Sequence, residues 1–364
     1  MREFIEPIRK KWIYHFIVSP KTSLIEKPEW YLNQSLKWIH EHLNTVETIV
    51  KPGSAESCKA EVRRAFILCM LELSHRRLQK DLESMKPKIE ESEETKVLLV
   101  HTYNEVVQYV RVIRQLLGSK YEELDDKHDM MALFSQQIIF EKLFDVEWDN
   151  ALRNLRATYA SECRWDPVLD GDYIDYYKIP RCVDRFLLQI KSISERVECF
   201  RQPDCQFQLI ELQSYLFKKS LDFMRQTTEC SPISKNILTD IFFITDDSTI
   251  DLSKILRVLN GVNFLRLVLK ERCFLPPGIE GKLDEGLSAK LKKTTEDYVT
   301  YMNKLIDRVV SIYEEVRCDH RGFLDFIKPK LSNNIYELIH DEAAKIYQKR
   351  QTHSMLKGLS LGRE

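Results

Sequence analysis

The sequence predicts an all-α protein, an elongated rod of stacked antiparallel helical bundles. Three observations carry this. Turn formers are scarce: the 364 residues include 10 glycines and 12 prolines, about half the usual share, so the chain runs in long elements. Charged residues make up 30% and hydrophobic residues 43%, a mix that suits helices with a narrow apolar stripe and a wide solvated face. Apolar residues recur at spacings of three and four, and strand-like alternation is sustained nowhere.

Residues 1–28 are broken by Pro7, Pro20 and Pro28, and the first helix is placed from Glu29 through Trp38 to about residue 50, with Pro28 at its first turn. Pro52-Gly53-Ser54 stops the chain and restarts it, Ser54 being a good N-cap. Between Ala55 and Met85 the positions Cys58, Val62, Phe66, Cys69, Leu73, Leu78 and Leu82 form one stripe, a helix of ~45 Å at 1.5 Å per residue. Pro87 ends it and Ser92 starts a second long helix that Gly118-Ser119 closes. Two long helices with a short connection read as an antiparallel pair.

Residues 119–128 read as an acidic loop, followed by helices at 129–145 and 147–163. Pro167, Asp170-Gly171-Asp172 and Pro180 make 164–180 irregular. Further helices fit 181–200, 204–229, 233–244, 251–274, 284–317 and 319–349. The expected organisation is a first bundle region over 1–163, a linker over 164–180, a second bundle region over 181–350 and a frayed tail over 351–364.

Composition narrows the function. Net charge is −1 with interleaved signs, so nucleic-acid binding lacks its main electrostatic support and is not expected. No stretch approaches eighteen apolar residues, so membrane association is expected to be peripheral only. Nine cysteines without a CxxC read as free thiols of a reducing compartment.

Chemistry-bearing motifs are few. Asp125-Asp126-Lys127-His128-Asp129 is a DDxxD string, which in all-α diphosphate enzymes holds Mg²⁺ through clustered hard oxygen ligands. The second metal motif such enzymes need is missing: Asp246-Asp247-Ser248-Thr249-Ile250 lacks both its Ser/Thr position and its Glu. The string also follows Glu122-Glu123, so a solvated acidic loop is the preferred reading and an Mg²⁺-dependent enzyme the rival. His40 and His42 point to different faces of a helix, and no HExxH, zinc-spaced cluster, GxGxxG, P-loop or GxSxG occurs. No catalytic residue, cofactor or metal is assigned. The basic clusters, Arg9-Lys10-Lys11, Arg63-Arg64, Arg76-Arg77, Lys218-Lys219 and Lys292-Lys293, read as outward helix faces.

The densest signal is aromatic. Tyr14-His15-Phe16 is followed by Lys27-Pro28-Glu29-Trp30-Tyr31-Leu32 and by Trp38-Ile39. Trp and Tyr crowd together where catalytic side chains are sparse, which points to a packed joint. Phe140-Glu141-Lys142-Leu143 with Glu147-Trp148, Tyr177-Lys178-Ile179-Pro180-Arg181-Cys182, Gln208-Leu209-Ile210-Glu211-Leu212-Gln213 and the run from Leu256 to Phe264 follow in order.

Together these strips resemble the RINT/TIP family, subunits of the endoplasmic-reticulum tethering complex, across about 250 residues. The resemblance implies a curved rod of stacked bundles, as in exocyst and Golgi-complex subunits. It implies a non-enzymatic role in Golgi-to-endoplasmic-reticulum retrograde transport, with other tether subunits and endoplasmic-reticulum SNARE proteins as partners. It implies a peripheral location on the cytosolic face of that membrane. Tyr14, His15, Phe16, Lys27, Pro28, Glu29, Trp30, Tyr31, Trp38, Trp148, Pro180 and Cys182 would be its structural signature positions. The family's N-terminal coiled coil and its final bundle have no counterpart in the matched strips, so the chain is expected to be a fragment of that architecture. A helical scaffold of another tether complex is the remaining alternative.

Overall fold

The computed structural model describes residues 2–48, 56–168, 177–229, 252–316 and 319–361. Among them are twelve α-helices and no strand. In order these are α1 (Arg2–Ile13), α2 (Pro28–Thr48), α3 (Glu56–Met85), α4 (Glu93–Leu117), α5 (Met130–Phe134), α6 (Gln137–Ala160), α7 (Arg181–Cys199), α8 (Pro203–Glu229), α9 (Leu252–Lys270), α10 (Glu285–Val316), α11 (His320–Ile327) and α12 (Asn333–Leu361). The all-α class and most element positions agree with the sequence reading. The Pro52-Gly53-Ser54 break and the helix expected over 233–244 lie outside the described residues.

The helix ends follow local chemistry. The Ser92 hydroxyl accepts from the Thr95 amide at 3.2 Å and opens α4, satisfying one of the amides that a helix start leaves without a partner. Gly118, at φ 57°, closes it in the left-handed region that favours glycine. Asp319 caps α11 by accepting from the Gly322 amide at 2.7 Å.

Three expectations need correction. Residues 2–13 form α1 despite Pro7: a proline there removes one ladder bond, and burial of Trp12 with no exposed surface outweighs that loss. The break expected at residue 146 lies instead at Ser135-Gln136, where the Ser135 hydroxyl bonds back to the Met131 carbonyl at 3.0 Å and competes with the helical ladder; α6 then runs unbroken to Ala160. The helix expected over 319–349 is two, α11 and α12, separated by a 3₁₀ turn over Lys328–Lys330 in which Pro329 cannot continue the ladder. The second continues to Leu361.

The chain folds into two compact units, Met1–Asp149 with Glu195–Leu209, and Asn150–Ser194 with Ile210–Glu364. In the first, a buried hydroxyl node ties three helices: Tyr109 of α4 lies 3.0 Å from Ser35 of α2, and Ser74 of α3 donates to Ser35 at 3.3 Å. An aromatic cluster of Tyr103, Phe134, Phe140 and Phe200 fills its other end. In the second unit Phe186 packs edge-on against Phe217 and Phe217 tilted against Phe274, and the Tyr298 hydroxyl donates to the Phe217 carbonyl at 2.9 Å. No described helix is long and apolar enough to cross a membrane.

Candidate functional site

The aromatic strip folds into a joint among α1, α2 and α3. Trp12 is enclosed, with Phe16 at 5.3 Å and Tyr31 edge-on at 6.2 Å, the tilted geometries that ring quadrupoles prefer. Trp38 is buried and Lys11 lies over its ring at 5.7 Å. Tyr14, His15 and Phe16 open a π-helical turn, Tyr14–Val18, in which the Ser19 amide reaches back to the Tyr14 carbonyl at 2.8 Å. Such turns leave carbonyls in need of donors. Thr22 donates to the His15 carbonyl.

Arg77 of α3 supplies the rest. Its Nη1 donates to the Phe16 carbonyl at 2.7 Å and its Nη2 to the Ser23 carbonyl at 3.0 Å. The same guanidinium grips Asp81 through Nε at 3.0 Å and Nη2 at 2.9 Å, the bidentate pairing that the planar fork allows. It lies 6.0 Å from the Tyr31 ring. Both charged side chains are buried. Burial lifts the Asp81 carboxyl to about 6 against the pull of Arg77.

The signature positions thus divide. Phe16, Pro28, Tyr31 and Trp38 are buried, as a packed joint requires. Tyr14 and Trp30, expected inside it, stand at its surface, 60% and 43% exposed; Trp12 takes the central place. Lys27 pairs with Glu29 at 3.6 Å, and Glu29 with His101 of α4 at 3.2 Å. Partial burial works against the Glu29 carboxylate, but its own amide, His101 and Lys27 together hold it below the usual range. Trp148 is half-buried, 5.7 Å from Phe144.

The later strips meet in the second unit. Pro180 is buried and pairs with Pro167 in an isolated bridge, so the described ends of 164–180 are joined; residues 169–176 lie outside the described residues. Cys182 is enclosed and burial pushes its thiol up to about 12, which leaves it an inert apolar group. Gly261 of α9 sits against Val183 and Pro180: a Cβ there would meet Val183 Cγ2 at 2.9 Å and Pro180 Cγ at 3.4 Å. Next to it Asn260 donates to the Lys330 carbonyl at 2.9 Å and accepts from the Ser332 amide at 3.0 Å, fixing the turn before α12. Gln213 of α8 donates to the Ile190 carbonyl at 3.1 Å and to Ser194 at 2.8 Å.

The DDxxD string does not assemble a donor set. Asp125 and Asp126 stand in solvent, whereas Asp129 is 1% exposed. Asp129 caps α5 by accepting from the Met131 and Ala132 amides at 3.0 and 3.3 Å, and it faces Arg201 at 3.7 Å. Among the described residues no three His, Cys, Asp or Glu side chains are placed to share a metal ion.

Arg77 escaped the sequence reading, which set it with Arg76 on an outward face. The signal was present: Met70, Ser74, Arg77, Asp81 and Met85 recur at four, three, four and four along one buried stripe.

The strips lie within the stretch over which the chain matches a known family, residues 1–273. Over 269 residues it is 22% identical to the RINT1-like protein of Drosophila melanogaster, an alignment covering 73% of this chain and 33% of that protein. The chain therefore spans about a third of that relative's length. No solved structure matches it. The profile of the RINT-1/TIP-1 family matches residues 1–273, three-quarters of the chain, and the chain belongs to that family.

Proposed function

We propose that this chain is part of a vesicle-tethering subunit that acts in retrograde transport from the Golgi to the endoplasmic reticulum. The family match over residues 1–273 carries the reading. In it the chain is a non-enzymatic, peripheral component on the cytosolic face of the endoplasmic-reticulum membrane. Its partners are other tether subunits and SNARE proteins of that membrane, and nucleic acid is not among them.

The physical character of the chain supports this. A tether needs stiffness and surface. The buried Arg77–Asp81 clamp and the Gly261–Pro180 contact hold helices at fixed joints, and tertiary packing supplies the rigidity that isolated helices of this composition would lack.

The test is depletion of the protein from its own cells, followed by two readouts: return of a retrieval-signal cargo to the endoplasmic reticulum, and capture with the tagged chain. Slowed cargo return and recovery of endoplasmic-reticulum tether subunits support the proposal. Normal return, or recovery of exocyst or Golgi-complex subunits alone, sinks it. Small-angle scattering checks the rod: a maximum dimension no larger than that of a 43.2 kDa globule counts against it.

A further inference from the structure

Within the second unit a groove lies between α6 and α8. Its floor is apolar, made by Leu152, the fully buried Leu155 and Phe223. Phe223 is stacked on Tyr159 at 5.2 Å with the rings 8° apart, and the Tyr159 hydroxyl is hydrogen-bonded to Ser220 at 2.5 Å, so this wall is locked in place. The cavity is about 410 Å³, within the ~300–1,000 Å³ range of ligand pockets.

The rim is cationic. Arg156, Lys219 and Arg225 line it against a single acid, Asp222. Asp222 is shared by Lys219 at 3.4 Å and Arg225 at 3.9 Å, leaving two positive charges in excess. Arg156 is exposed and has no ion-pair or hydrogen-bond partner among the described residues. Lys219 and Arg225 rest over the faces of Tyr215 and Tyr301, at 5.6 and 5.5 Å, which holds both heads at the rim. An apolar slot under an excess of fixed cations is complementary to a chain segment that carries apolar anchors between carboxylates.

We propose that this groove binds an acidic peptide segment of a partner protein. An apolar side chain of the segment lies on Leu152, Leu155 and Phe223, and its flanking carboxylates meet Arg156, Lys219 and Arg225. A lipid surface fits less well. The floor is concave, and none of the exposed large hydrophobic side chains belongs to residues 150–160 or 210–229, so nothing there projects to enter a bilayer. The proposal rests on the groove and its charges in this chain and not on the tethering role, so peptide binding there stands or falls apart from that role.

The test uses the full chain and a displayed library of peptides of about 16 residues, long enough for a helix in a groove. Selection should enrich sequences with Leu or Phe flanked by Asp or Glu. Measured by fluorescence anisotropy, such a peptide should bind the double variant Arg156→Glu, Lys219→Glu at least roughly tenfold more weakly, with the circular dichroism of the chain unchanged. Raising salt from about 50 to about 300 mM should weaken it as well. No enrichment, enrichment without net negative charge, or equal binding by the variant overturns the proposal. So does a variant that keeps peptide affinity while losing binding to vesicles with about 30% phosphatidylserine. A third arm replaces residues 230–251 by a Gly-Ser linker; peptide binding seen only in that variant assigns the groove to the chain itself and ends the case for a partner.

Discussion

Replacing Arg77 by Ala removes one side chain that serves three partners. The Phe16 carbonyl loses a donor at 2.7 Å in a buried turn, and a buried acceptor left bare costs about 1–3 kcal/mol. The Ser23 carbonyl loses a donor at 3.0 Å, but the site is only part-buried, so water reaches it and the cost stays near 1 kcal/mol at most. Asp81 loses its bidentate partner. Its carboxyl already titrates at about 6, so at pH 7 it takes up a proton at small cost and escapes the full penalty of a bare buried charge. Loss of the stem from beside Tyr31 adds about 0.5–1 kcal/mol. The sum is roughly 1.5–5 kcal/mol, most of it from the bared Phe16 carbonyl.

The assay is urea unfolding followed by circular dichroism, with amide exchange read peptide by peptide. With a slope near 2 kcal/mol per molar, the transition of the first unit should move down by about 1–2.5 M. Exchange should rise first in residues 14–23, which the guanidinium pins. Arg77→Met with Asp81→Leu, which removes both charges and keeps the volume, should recover only the part due to Asp81 and the lost stem, because the Phe16 carbonyl stays without its donor. A shift in Arg77→Ala below about 1 kcal/mol, with unchanged protection of 14–23, would refute the clamp.

The folded Asp81 carboxyl lies near 6 while an unfolded one lies near 3.8, so the folded state binds its proton first. Its contribution to stability is complete below the unfolded value and is lost as pH rises through about 6; against Asp81→Asn, which does not titrate, the parent should gain up to about 3 kcal/mol between pH 7 and pH 4 in urea midpoints. Gly261→Ala forces a Cβ to within 2.9 Å of Val183 Cγ2, so thermal unfolding should show a loss of about 1–3 kcal/mol that Val183→Ala restores; a neutral Gly261→Ala would mean the contact is loose. Asp129→Ala removes a buried helix cap and should cost about 1–2 kcal/mol, whereas Asp125→Ala with Asp126→Ala should leave the melting temperature unchanged. Equal effects across the string would argue for a shared role.

How far the sequence could be read follows from the range of each interaction. The long helices α3, α4, α8 and α10 were legible because a 3.6-residue stripe, a Ser or Asp cap and a Gly or Pro stop are all local signals, written within a few residues of where they act. Helix α1 was not, because the local signal at Pro7 is unfavourable and the burial of Trp12 against Phe16 and Tyr31 overrides it. The single helix expected over 319–349 failed for the opposite reason: Pro329 was a visible breaker inside a periodic run, and the turn it makes is fixed by Asn260, some seventy residues away.

The sequence by itself determined that the chain is helical, where most of its helices lie, and which family it belongs to. Those properties depend on periodicity and on residue identity at short range. The tertiary structure alone decided what the strips do. It brought Arg77 under the Tyr14–Val18 turn, turned Tyr14 and Trp30 to the surface, seated Gly261 against Pro180 and Val183, and made Asp129 a helix cap. Each of these joins residues whose pairing has no local signature, since a side chain's partner across a helix interface is set by the docking of whole faces and only then by its own chemistry.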